Sequence, residues 1–238
     1  MIYLDNSATT KPHESVLQTF LQVNERYFAN PASIHKAGVE ANDLLSRARE
    51  QVASILNTED KQVIFTSGGT ESNNFALYGI AKSSTHKGKH IIVSEIEHPS
   101  VLEAAKRLIT EGFDIEYLRV DEHGKLSVEQ LKRIIRKDTI LVSVMHVNNE
   151  MGAISPIREM AKIIHEKSRA VFHVDAVQSF GKMHVAFDGE NGPDILTISG
   201  HKIHGIKGSG VIAFRKQLNI SPLLVGGGQE FGLRSGTV

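Results

Sequence analysis

The sequence predicts an α/β domain with a mostly parallel sheet sandwiched by helices. Three observations carry that expectation. Short β-branched runs recur along the chain, longer stretches between them repeat apolar residues at helical spacing, and glycine or polar clusters directly follow the runs. Alternation of this kind indicates βαβ units with right-handed crossovers, a doubly wound arrangement.

Taken in order, the first helical stretch is 40–56, with Leu44, Leu45, Ala48, Val52 and Ile55 on one face. The run Val63-Ile64-Phe65 reads as a buried strand, and so does Ile91-Ile92-Val93. Helical spacing returns over 100–111 and 127–136. Ile140-Leu141-Val142-Ser143-Val144 is the next strand, 156–167 the next helix, and Ala170-Val171-Phe172-His173-Val174 the strand after it. Asp194-Ile195-Leu196-Thr197-Ile198 is another. The glycine-rich stretch 205–210 leads into Val211-Ile212-Ala213-Phe214, a strand rather than a helix.

Bulk properties bound the function. The 238 residues suffice for one large α/β domain. The 27 basic and 27 acidic side chains cancel, so net charge suggests neither nucleic acid nor an anionic membrane as partner. No apolar run approaches the roughly 18 residues of a membrane span, and the first ten residues, with Asp5 among them, do not resemble a secretory signal. A cytoplasmic location is therefore expected. There is no cysteine, which excludes disulfides, thiolate metal ligands and a cysteine nucleophile among these residues.

In parallel sheets ligands sit beyond the carboxyl ends of the strands, so the residues after each run are the candidates. Thr66-Ser67-Gly68-Gly69-Thr70-Glu71-Ser72-Asn73-Asn74 pairs glycines, which admit close approach, with a helix start whose free N–H groups suit a phosphate. The same residues also suit an ordinary strand-to-helix turn. Asp175 ends a strand, where a carboxylate needs a cation partner such as a protonated ring nitrogen, although it would equally cap the next helix. Lys202, in Ser199-Gly200-His201-Lys202, follows a buried strand, and desolvation there would free its amine to form a Schiff base. His201 and His204 lack the carboxylates or thiolates of a metal site, so no metal is expected. His98, before Pro99, is placed to stack on an aromatic ligand and move protons near neutral pH.

Together these segments resemble the cysteine desulfurases, within the class-V aminotransferase group of fold-type I pyridoxal-phosphate (PLP) enzymes. The likeness begins with Tyr3-Leu4-Asp5-Asn6-Ser7-Ala8-Thr9-Thr10 and Asn30-Pro31-Ala32-Ser33-Ile34-His35. It continues through the post-strand motifs above, with His146-Val147-Asn148-Asn149-Glu150-Met151-Gly152 and His173-Val174-Asp175-Ala176-Val177-Gln178. It closes with 226–237, Gly-Gly-Gly-Gln-Glu-Phe-Gly-Leu-Arg-Ser-Gly-Thr, where Phe231 replaces an arginine common in that family.

The resemblance implies a role for each position. Lys202 would hold PLP covalently and carry protons. Asp175 would pair with the pyridine nitrogen, Gln178 and Asn149 would bond the ring-oxygen side, and His98 would stack on the ring and assist proton transfer. Gly69, Thr70, Ser199 and His201 would hold the phosphate, and Thr237 would reach the phosphate of a neighbouring subunit, implying a homodimer. The implied reaction takes L-cysteine to L-alanine with sulfur passed to acceptor or scaffold proteins, iron–sulfur cluster assembly among the destinations.

The family's nucleophilic cysteine, substrate arginine and small second domain lie beyond the Arg-Ser-Gly-Thr motif. The expected organisation is therefore a strip over 1–14 that would pack with a small domain, a PLP-binding large domain over 15–238, and no C-terminal small domain. Turnover is expected to stop short for want of the persulfide cysteine. Two other readings stand beside this one: a selenocysteine lyase or other class-V enzyme, and a non-catalytic subunit that pairs with intact ones.

Overall fold

The computed structural model describes residues 2–185, 187, 191–215 and 218–237. The helices are α1 (Glu14–Arg26), α2 (Lys36–Leu56), α3 (Gly69–Ser83), α4 (Pro99–Thr110), α5 (Val128–Ile134) and α6 (Ile157–Lys167). The strands are β1 (Val63–Thr66), β2 (His90–Ser94), β3 (Asp114–Leu118), β4 (Thr139–Met145), β5 (Val171–Asp175), β6 (Ile195–Ser199) and β7 (Gly210–Phe214). They form a seven-stranded sheet in the order β1-β7-β6-β5-β4-β2-β3. β7 runs antiparallel to both of its neighbours, and the pairings from β6 through β3 are parallel. The α/β sandwich with a mostly parallel sheet is the architecture expected from the sequence.

The period-two alternation of strand residues splits the core into two layers. Ile64, Ile91, Val93, Leu141 and Ile212 pack with Phe75, Ile80, Val101 and Leu108 of α3 and α4. Their neighbours Val63, Ile92, Val142 and Ala213 face the other side, against Leu131, Met160 and Ile164 of α5 and α6. α3 buries Phe75, Ala76, Leu77 and Ile80, being apolar on more than one face, as suits a helix lying against the sheet.

Most expected elements stand within a residue or two of their pattern. α2 starts a turn earlier than expected, because the His35 ring accepts from the Gly38 amide (3.2 Å) and caps it. α5 starts at the Ser127 cap, which accepts from the Gln130 amide (3.1 Å). Two elements lie outside the expectation from sequence. β3 is an edge strand in which Asp114 and Glu116 alternate with Ile115 and Tyr117. α1 carries Leu17, Phe20 and Leu21 at helical spacing but buries none of its residues.

One polar link crosses the core. His173 Nδ1 meets Ser143 Oγ (2.8 Å) and its Nε2 meets Thr197 Oγ1 (3.0 Å), joining β4, β5 and β6. Burial pushes this imidazole down to about 3, so it stays uncharged at neutral pH. Two residues further along the same strand stands Asp175.

Candidate active site

Nine of the residues singled out from sequence line one cavity of about 210 Å³: Gly69, Thr70, His98, Asn149, Asp175, Gln178, Ser199, His201 and Lys202. Asp175 and Ser199 end β5 and β6, Lys202 sits in the turn that follows β6, and Gly69 opens α3. The carboxyl ends of neighbouring strands thus deliver the polar groups to a common space. Thr237 lies elsewhere, lining a second cavity with Asn30, Arg49 and Phe231.

Asp175 is 4% exposed. Its Oδ2 accepts from Asn73 Nδ2 (2.8 Å) and its Oδ1 from the Val177 amide (2.9 Å). Burial pushes its pKa up; those hydrogen bonds, then His98 and Lys202, oppose the rise. No helix starts after β5 among the described residues, so the Val177 contact closes a turn rather than capping a helix, and it coexists with the cavity-facing position.

A raised folded pKa means that the unfolded chain releases this proton more readily. The stability tied to Asp175 is full below the ordinary carboxyl value of ~3.9 and is lost as pH rises through the folded value. Asp175→Asn, in the protein without added ligand, is expected to melt higher than the parent at pH 7. The gap should close as pH approaches ~4; a lower melting temperature at pH 7 would contradict the burial argument.

Asn73, within the motif 66–74, is a cavity residue to which sequence alone assigns no role. It is 1% exposed, and its Nδ2 bonds both Asp175 and Ser100 Oγ (2.9 Å). Ser100 Oγ in turn meets His98 Nδ1 (2.8 Å), which also accepts from the Ser100 amide (3.1 Å). A backbone amide can only donate, so Nδ1 is the acceptor and the neutral ring carries its proton on Nε2. Asn73 thereby links the acid of β5 to the imidazole before α4. The signal available in sequence was a pair of amides, Asn73 and Asn74, one turn past Gly69 where the polar start of α3 gives way to its apolar part.

Glu97, beside His98 in sequence, is a buried acid outside the cavity lining. It is 4% exposed, and its Oε1 accepts from Ser94 Oγ and the Met145 amide, both at 2.6 Å. Burial pushes its carboxyl up to about 8, with Asp175 adding to the rise, so it is largely protonated at neutral pH.

The Lys202 amine donates to the Ser7 carbonyl, which also accepts from Gln178 Nε2 (2.7 Å). Burial first, then the charge of Lys182, lowers the Lys202 pKa, while Asp175 and Asp5 pull the other way. A depressed pKa increases the fraction of free amine at neutral pH. The N-terminal strip supports this turn. Thr10 donates through its amide and its hydroxyl to the His201 carbonyl (2.8 and 2.9 Å), and the His13 amide donates to the His204 carbonyl (2.9 Å). Thr10 is buried, whereas Ile2 and Leu4 are exposed.

Anion-binding features meet at the other end of the cavity. No side chain caps the N-terminus of α3, which leaves first-turn amides for a ligand. Ser199 Oγ, beside that turn, is buried with no hydrogen-bond partner among the described residues. Gly68 adopts φ 148°, and a side chain on Gly210 would meet the Gly68 Cα at 2.5 Å, so both positions require glycine. Unpaired hydroxyl, uncapped amides, a lysine amine of lowered pKa and a buried carboxylate suit a compact anionic cofactor with a basic ring and an electrophilic carbon. These residues fit PLP.

Comparison with known proteins gives a consistent result. The family described as aminotransferase class-V matches residues 2–236. "Cysteine desulfurase IscS 1" of Archaeoglobus fulgidus is 44% identical over 237 residues, covering 100% of this chain and 61% of that protein. "Cysteine desulfurase, mitochondrial" of Saccharomyces cerevisiae is 46% identical, covering 100% of this chain and 48% of its own length. Among solved structures, a "NIFS-LIKE PROTEIN" superposes with TM-score 0.96 at 40% identity, covering 100% of this chain and 65% of that one. "SspA in complex with cysteine" gives 0.94 at 37%, covering 100% and 69%. The chain spans about half to three fifths of the length of these curated relatives.

Proposed function

This chain belongs to the class-V aminotransferase family, and from that premise we propose that it is the PLP-binding large domain of a cysteine desulfurase. In this reading it is a cytoplasmic homodimer acting on L-cysteine. The observation that carries the reading is the shared cavity of Lys202 and Asp175, with the unpaired Ser199 hydroxyl and the uncapped α3 terminus at one end.

Bound PLP supplies an electron sink for bonds broken on an amino acid's carbons. The protein's own groups do the rest. The Lys202 amine, its pKa lowered by burial, would be the nucleophile toward the cofactor's aldehyde and would carry a proton at Nζ. Asp175, oriented by Asn73 and the Val177 amide, would pair with the ring nitrogen and keep it protonated. His98, its Nδ1 occupied by Ser100, would pack on the ring and have Nε2 available to exchange protons. Gln178 and Asn149 bond the ring-oxygen side. Gly69, Thr70, Ser199 and His201 bind the phosphate. Thr237, turned away from this cavity, serves the phosphate site of a second copy.

The test is direct. Mixed with PLP, the folded chain should develop a visible absorbance band that persists through gel filtration. No band at saturating PLP would sink the assignment. The same preparation given L-cysteine is expected to produce no sustained sulfide or alanine, because these residues include no thiol to accept the sulfur. Continued alanine release over many turnovers would show that an internal thiol is dispensable.

A further inference from the structure

β1 lies at the end of the sheet, paired on one side only, by β7. Its open edge should present unpaired backbone groups at alternate residues. Side chains cover that edge in order. Arg49 Nη1 donates to the Val63 carbonyl (2.6 Å), Glu230 Oε2 accepts from the Phe65 amide (2.7 Å), and Glu71 Oε2 accepts from the Ser67 amide (2.9 Å). Both carboxylates are themselves gripped by arginines. Arg49 holds Glu230 through two bonds of 2.7 and 2.6 Å, and Arg234 holds Glu71 through two of 2.8 and 3.2 Å.

Glu230 and Arg234 belong to one segment, 226–237. That segment closes on itself: the Ser235 hydroxyl donates to the Gly227 carbonyl (2.8 Å) and the Gly236 amide to Gln229 Oε1 (3.2 Å). Glu230 and Phe231 hold positive φ (47° and 58°), costly for residues with side chains and sustained by their surroundings. The guanidinium of Arg49 lies between the rings of Phe65 and Phe231, 4.8 and 5.1 Å from their centroids.

We propose that segment 226–237 is a strap that sets the phosphate cradle, with Glu230, Arg234 and Glu71 as positioning residues. It grips β1 directly at Phe65 through Glu230, and through Arg234 and Glu71 it bears on Ser67, the residue that precedes Gly68, Gly69 and Thr70. A phosphate site made of backbone amides depends on those amides being fixed before the ligand arrives, since ordering them on binding would subtract from affinity. The bond from Glu71 to the Ser67 amide fixes the turn from within α3, and Arg234 fixes Glu71. This inference rests on the proposal that the α3 terminus takes the phosphate of PLP.

The experiment compares PLP with pyridoxal, which lacks the phosphate, in chains carrying Glu71→Ala or Arg234→Met. Dissociation constants are read from the visible band, and hydrogen exchange of the Ser67 amide is read without ligand. Each variant should weaken PLP about tenfold, the loss of one charge-assisted bond's worth of positioning, and leave pyridoxal within about twofold. Ser67 exchange should quicken in both. The sign separates positioning from bare charge: removing Glu71 takes a negative charge away from an anion site, so electrostatics alone would tighten PLP. Tighter PLP in Glu71→Ala, or equal weakening of PLP and pyridoxal, overturns the strap. If the unsubstituted chain gives no band with either aldehyde, the PLP assignment has failed instead. Ser67 exchange then still decides the strap, supporting it if faster in Arg234→Met and overturning it if unchanged.

Discussion

Lys202→Ala is expected to abolish the visible PLP band and let the cofactor wash out on gel filtration. The amine is the one nucleophile among the cavity residues with a pKa lowered toward neutrality, by burial and by Lys182. Its donation to the Ser7 carbonyl, pinned with the rest of the strip by Thr10 and His13, fixes where Nζ sits. Alanine removes that bond-forming atom and leaves the phosphate cradle and Asp175 in place, so weak noncovalent binding should survive. Lys202→Arg should fail as well, since a guanidinium stays protonated and does not condense with an aldehyde. A band of unchanged intensity in Lys202→Ala would mean that another amine holds the cofactor.

The largest stability effect is expected at Glu230. Its side chain is 1% exposed and that of Arg49 7%, so the two are a buried, bidentate pair. Glu230→Ala strands a guanidinium between two aromatic rings and takes the acceptor from the Phe65 amide. Losing one member of such a pair costs about 3–5 kcal/mol. That is a large part of the ~5–15 kcal/mol that keeps an ordinary domain folded. Because an unpaired charge causes most of the loss, Arg49→Leu combined with Glu230→Leu should be milder than Glu230→Ala alone. Urea unfolding of the three chains checks this; a midpoint for Glu230→Ala equal to the parent's would show the pair to be energetically idle.

The buried carboxylates show how function and stability oppose each other here. Asp175 and Glu97 both have raised pKa values through burial, and Asp175 adds to the rise at Glu97. A protein selected for stability alone would have neutral residues at these positions. Retaining an acid at the end of β5 is consistent with a cationic ligand group facing it, the role proposed for the cofactor ring nitrogen.

The alternation of β-branched runs with helical spacing determined the α/β class. It also placed nearly every core strand, because burial on both faces forces continuous apolar runs such as 140–144. The residues at strand ends were legible for the same reason: a polar group such as Asp175, directly after such a run, has few places to be except a cleft. Elements with one solvated face left weaker marks. β3 offers only alternation, Asp114 and Glu116 against Ile115 and Tyr117, and the helical spacing of Leu17, Phe20 and Leu21 in α1 marks a face that the fold leaves unburied.

Contacts across long sequence separations were decided only by the tertiary structure. Local pattern does not encode that Arg49 meets Glu230, that Arg234 holds Glu71, that Ser7 receives Lys202, or that Asn73 joins Asp175 to His98. Nor does it encode the opposite direction of β7, which sits between β1 and β6 and brings Gly210 against Gly68. Periodicity reports which face of an element is dry. Which charge finds which partner depends on how the faces stack, and that is settled when buried ions must pair or stay unmade.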